Sequence, residues 1–149
     1  KMKYFSGVFI VIYIKIALPM SYKGLKDLPV YKKAVELQTM GRAIAHCAAG
    51  KEAAVNRYMA NSLRGEVAGL LLTDTALIRK QIALAAGTSS LSIRQNSLQF
   101  VSVMIRNLGS YCRGLEMDGM REREYLELLR RELVSFRKSF KQWRKSLGN

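Results

Sequence analysis

At 149 residues the chain has the length of one domain, and 25 Lys plus Arg against 11 Asp plus Glu give it a net charge of +14. A hydrophobic content of 49% is enough for a packed core, which excludes a disordered basic tail. Only two Pro occur, both before position 30, and the sparse turn signals argue against a sandwich or barrel and for an all-α chain.

Residues 1–19, KMKYFSGVFIVIYIKIALP, differ from everything that follows: a Lys-flanked apolar run from Tyr4 to Ile14 is broken by Lys15. The run is too short for a spanning helix, which needs about 20 apolar residues. A positive start and an apolar stretch of this length suit a secretory signal, but no small-x-small cleavage site follows. A mis-assigned start upstream of Met20 is the reading adopted, with a signal or membrane anchor as the alternative. The functional domain is then 20–149, and dropping Lys1, Lys3 and Lys15 leaves +11.

Four amphipathic helices are predicted in that domain. The first follows KDLP, with Asp27 as the capping carboxylate and Pro29 in the first turn. Tyr31, Ala34, Val35, Met40, Ala43, Ile44 and Cys47 form its apolar face, and Gly50 terminates it. A second helix is predicted from about Glu52 to Ala86, with Val55, Met59, Leu63, Val67, Leu70 and Leu77 as its seam. Leu71, Ile78 and Ile82 widen that stripe, and Gly87 with the following TSS supplies a stop and a cap. Asp74 interrupts the seam; an acid there is either satisfied by an arginine, exposed at an end, or functional.

The third helix repeats Leu91, Leu98, Val101, Ile105, Leu108, Cys112 and Leu115, with Gln95, Gln99, Ser102, Arg106, Ser110 and Arg113 opposite. The fourth opens near Asp118, Glu122 and Glu124 and carries the heptad seam Leu126, Leu129, Leu133, Phe136, Phe140, Trp143 and Leu147. Short connections favour antiparallel neighbours, so the expected fold is an up-down four-helix bundle.

Charge is unevenly distributed along these helices. Between Asp74 and Glu116 there is no acid, only Arg79, Lys80, Arg94, Arg106 and Arg113. In the fourth helix Glu127 offsets Arg130 and Arg131, whereas Arg137, Lys138, Lys141, Arg144 and Lys145 stand without an acid. One or two cations suffice to complement a helix C-terminus; five exceed that role and mark a surface for a polyanion. Nucleic acid would be held through phosphates, with weak support for base stacking because the aromatics lie on the seam. Solvated basic surface is the plain alternative.

Catalytic constellations are missing. His46 stands alone, Cys47 and Cys112 are 65 positions apart and read as buried thiols, and no phosphate-cradling glycine loop occurs. Ala43 stands where a di-iron motif would need a Glu before His46. The chain is expected to be non-enzymatic, without metal, cofactor or small-molecule substrate.

Four strings sharpen this reading: LPVYKKAVEL (28–37), RYMANSLRGEVAGLLL (57–72), SLSIRQNSLQFVSVMIRNLGSYCRGL (90–115) and ELVSFRKSFKQWRKSL (132–147). Over residues 25–147 the chain resembles the four-helix-bundle proteins that include the accessory variability determinant (Avd) of diversity-generating retroelements. A related branch, encoded by intervening sequences in ribosomal RNA genes, carries an SNIAEG-like stretch where this chain has MANSLRGEVAG. The resemblance implies a homopentameric barrel of bundles in the cytoplasm, away from membranes. It also implies a role beside a reverse transcriptase, contacting template RNA or cDNA during mutagenic copying. On this sequence the implied basic surface falls on Arg57, Arg64, Arg79, Lys80, Arg94, Arg106 and Arg113, with Arg137, Lys138, Lys141, Arg144 and Lys145 as a second candidate. The ribosomal branch, or an oligomeric adaptor with no nucleic-acid role, is the alternative.

Overall fold

The computed structural model describes residues 22–49 and 63–148, and these are all-α. Among the described residues the helices are α1 (Tyr22–Asp27), α2 (Pro29–Ala49), α3 (Leu63–Gly87), α4 (Leu91–Met117) and α5 (Arg123–Ser146). No described helix is long and apolar enough to cross a membrane. The apolar run 4–14, the terminator Gly50, and the seam residues Val55 and Met59 lie outside the described residues.

Pro29 occupies the first position of α2, where its missing N–H costs nothing. The cap is not Asp27, which closes α1 instead. The Leu28 carbonyl accepts the amides of Tyr31 and Lys32 at 3.0 and 3.1 Å, and α1 packs on α2 with Leu25 buried. The core row of α2 is a seven-residue repeat through Val30, Leu37 and Ile44, interleaved with Ala34, Gly41 and Ala48, all buried. Of the expected face, Tyr31, Ala34 and Ile44 are buried, Val35, Met40 and Cys47 half-buried, and Ala43 exposed. Gly41 hides the true register because it has no side chain to mark an apolar position. A Cβ there would lie 2.7 Å from Thr75 Cγ2, so α2 and α3 touch backbone to side chain at this level.

In α3 the expected stripe is buried on one side only: Val67, Leu71, Ile78 and Ile82 are in the core, whereas the row Leu63, Leu70, Leu77 is not. Val67, Leu71, Asp74, Thr75, Ile78, Ile82 and Ala85 face the core. Leu63, Leu70 and Leu84 are 43–57% exposed and Leu77 is half-buried. The helix is apolar on both sides, so periodicity alone could not choose between rows. Ser90 caps α4 by accepting the Ile93 amide at 3.3 Å, as the TSS stretch suggested. All the seam residues expected in α4 are buried except Leu91, which sits exposed in the first turn.

Asp118 is not the start of the last helix. It caps the end of α4, and Gly119 follows in the left-handed region at φ 78°, a conformation glycine adopts without strain. Helix α5 starts at Arg123 with Glu124 in its first turn, and Glu122 precedes it without a side-chain cap bond. Its heptad seam is buried from Leu126 to Trp143, with Phe136 and Phe140 stacked at 6.1 Å between centroids.

The long helices make four extensive packings: α2 with α3, α3 with α4, α4 with α5, and α5 with α2. Cross-helix contacts set the directions. Arg79 of α3 reaches Tyr31 and Gln38 of α2, Tyr111 of α4 reaches Asp74 of α3, and Arg144 and Arg130 of α5 reach Ser102 and Glu116 of α4. Sequence-adjacent long helices therefore run antiparallel around one shared core.

Candidate nucleic-acid interface

The cations singled out in the sequence divide into those committed to the fold and those left at the surface. Arg57 lies outside the described residues. Arg64 donates from Nε to Asp118 Oδ2 at 2.9 Å and from Nη2 to the Asp118 carbonyl at 3.0 Å, clamping the α4 terminus to α3. Arg79 is half-buried, donates to the Tyr31 hydroxyl and to Gln38 Oε1 at 3.0 Å each, and stands 5.6 Å from the Tyr31 ring centroid. Arg94 is 7% exposed and donates to the Ala85 and Thr88 carbonyls at 3.2 and 2.7 Å, satisfying the end of α3. These three arginines bond across turns or helices, Arg64 while still partly exposed, and in this they differ from the exposed cations. Sequence could not separate them from their neighbours, because each finds its partners on another turn or helix.

The rest are available. Lys80, Arg106, Arg113, Arg137, Lys138, Lys141 and Lys145 are exposed and Arg144 is half-buried; none makes an ion pair among the described residues. Arg113 donates to Ser110 Oγ at 3.0 Å on its own helix. Arg130, by contrast, is bonded to both Glu116 and Glu127, which raises its pKa, chiefly through the Glu116 bond.

Helix geometry brings five of the free cations onto one side. Contacts from Arg144 to Ser102 and from Arg130 to Glu116 are two heptads apart on each helix, which sets Arg137 opposite Gly109 midway between them. Arg106 and Arg113 flank Gly109 on α4, and Lys141 and Arg144 follow Arg137 on α5. Lys138 turns the other way and lines a shallow groove of about 340 Å³ between α2 and α5 with Lys32, Ser135, Ser139 and Gln142. Lys32 belongs to this surface and was not singled out in the sequence; the KK pair at 32–33 was its only signal. Its neighbour Lys33 is held by Glu36 at 2.8 Å and Glu132 at 3.4 Å, and the Glu36 bond is the main cause of its raised pKa.

Asp74 is 9% exposed and accepts a hydrogen bond from the Tyr111 hydroxyl at 2.7 Å, so its partner is a tyrosine, not an arginine. Burial, then the Asp74 bond, pushes the Tyr111 pKa up to about 12. Cys112 is buried and its thiol is pushed up to about 11 by burial, which keeps it protonated and unreactive at neutral pH. Among the described residues no three His, Cys, Asp or Glu side chains come together.

Comparison of the chain with models of known protein families, with characterised proteins and with solved structures finds no match in any of the three.

Proposed function

We propose that this chain is a non-enzymatic accessory protein of a diversity-generating retroelement. In this reading it is an antiparallel up-down four-helix bundle that assembles as a homopentameric barrel. Its basic surface holds template RNA or cDNA beside the reverse transcriptase during mutagenic copying. The retroelement setting rests on the resemblance of the four sequence strings. The nucleic-acid role rests on one observation: Arg137, Lys138, Lys141 and Lys145 are exposed, make no ion pair among the described residues, and share the last half of α5 with no carboxylate. Self-association is supported by a row of leucines on the outside of α3, with Leu70 and Leu84 exposed and Leu84 sharing a groove with Ile93 and Phe100 of α4.

Mobility shift of a structured RNA over a salt series tests the reading. Retardation at low salt should weaken steeply as salt rises, by about 0.9 in log–log slope per phosphate contact. Joint replacement of Arg137, Lys138, Lys141 and Arg144 by Gln should abolish it. An absence of retardation even at low salt overturns the nucleic-acid role and leaves an oligomeric adaptor, which the exposed leucine row also suits.

A further inference from the structure

The two stripes that meet along the α4–α5 interface mirror one another. On α4 the order is Ser102, Arg106, Gly109, Arg113, Glu116, and on α5, running the opposite way, Arg144, Lys141, Arg137, Val134, Arg130. At one end Arg130 is neutralised by Glu116 and Glu127. From Gly109 onward to the other end, neither stripe carries an acid. Gly109 is half-buried, and a Cβ built on it would meet nothing nearer than Arg113 Nη1 at 3.9 Å. The result is open space over the Gly109 backbone, with Arg113 Nη1 at its edge and Arg137 at the same level of the facing helix, a notch between the two stripes.

Resting on the nucleic-acid reading above, we propose that this notch seats the sugar-phosphate backbone of a double helix, with Arg106, Arg113, Arg137 and Lys141 as its phosphate contacts. Three features point to a duplex over a single strand. Neither stripe carries an aromatic side chain, and the aromatics of this half of α5, Phe136, Phe140 and Trp143, are buried, so bases have no platform to stack on. Contacts made only to phosphates position a nucleic acid without reading its sequence. Their yield rises with charge density, and a duplex presents one charge per ~1.7 Å of axis. From the level of Ser102 to that of Arg113 the basic stretch runs about 16 Å at ~1.5 Å per residue, a span matching roughly ten duplex charges.

The test uses the full chain and a labelled RNA duplex of about 20 base pairs, followed by fluorescence anisotropy at several salt concentrations, with its separated single strand as comparison. Gly109→Glu replaces a poor helix former by a good one and places a carboxylate in the notch. Its thermal midpoint should be unchanged or raised while duplex affinity falls at least about tenfold. Gly109→Ala adds only a methyl and should bind within about twofold of the parent chain. Arg106→Gln with Arg113→Gln should reduce the magnitude of the log–log salt slope by about 2. Duplex binding by Gly109→Glu at parental strength, or a single strand bound as tightly as the duplex, overturns the proposal. In that event loss of binding on replacing the α5 cations alone still upholds the wider reading, whereas no binding of any nucleic acid by the parent removes both.

Discussion

Asp74 is legible in the sequence as an anomaly, an acid on an apolar stripe, but its partner is not. Tyr111 is 37 residues away on α4, and no spacing rule connects the two. The phenol works here as a donor to a buried carboxylate, and removing it leaves that carboxylate without its partner. Tyr111→Phe should therefore cost about 1–3 kcal/mol of unfolding free energy at pH 8, read from urea denaturation. Burial of Tyr111, with the Asp74 bond second, also sets an alkaline limit. Tyr111 titrates near 12 in the folded chain against 10.0 for a free tyrosine. A value raised on folding means the stabilisation is complete below about pH 10 and drains away as the pH climbs towards 12. The parent should lose stability across that window more steeply than Tyr111→Phe, and parallel curves would show that the Tyr111 pKa is not raised on folding. Arginines present the same difficulty: Arg79, Arg94, Arg106 and Arg113 look alike in an acid-free stretch. Only burial shows that the first two tie helices together and the last two face solvent.

Helix α5 shows why some elements are readable from sequence. Its seam is made of large apolar residues in heptads, with mostly charged and polar residues elsewhere, so one register satisfies the pattern best. Helix α3 offers two: leucines recur every seven positions at 63, 70, 77 and 84, while Leu71, Ile78 and Ala85 form an adjacent row. Which row faces inward is decided by packing against α2, where Gly41 admits Thr75 and draws that side of α3 into the core. The end of α3 depends on a residue outside it. Arg94 donates to the carbonyls of Ala85 and Thr88, and its guanidinium is the wrong shape to replace with an ammonium. Arg94→Ala should lower stability by about 2–3 kcal/mol, since two acceptors and the packing of the side-chain stem are lost together. Arg94→Lys should recover only part of that loss. Equal urea midpoints for all three chains would show that solvent caps α3 instead.

The exposed apolar row on α3 and its neighbours on α4 bear on assembly. Gln81, Leu84, Ile93, Asn96, Ser97 and Phe100 line a groove of about 300 Å³ between these helices, on a face separate from the α4–α5 notch. If this groove is a contact between copies, Leu84→Lys should shift sedimentation velocity profiles towards the monomer. Leu84 is 46% exposed, so the fold itself should lose no more than about 0.5 kcal/mol. A parent chain that already sediments as a monomer at tens of micromolar would remove the pentameric assembly. The proposed oligomerisation rests, in the sequence, only on the resemblance, because a leucine on an outer row and one on an inner row leave the same mark on periodicity.

The reversal of direction between neighbouring helices also sorts charge by position along the long axis. Glu66, Glu116, Asp118, Glu122, Glu124 and Glu127 gather with compensating arginines at the end holding the α4–α5 turn. Lys26, Lys32, Lys80 and the α5 cations from Arg137 onward gather at the other, where Asp27 and Glu36 offset only part of their charge. The described domain is thus an electric dipole as well as a positive body. An approaching polyanion exerts a torque that swings the cationic end forward before any contact forms. Neutralising the α5 cations would therefore slow association in stopped-flow measurements as well as hasten release, and added salt would erase the difference in association rate first.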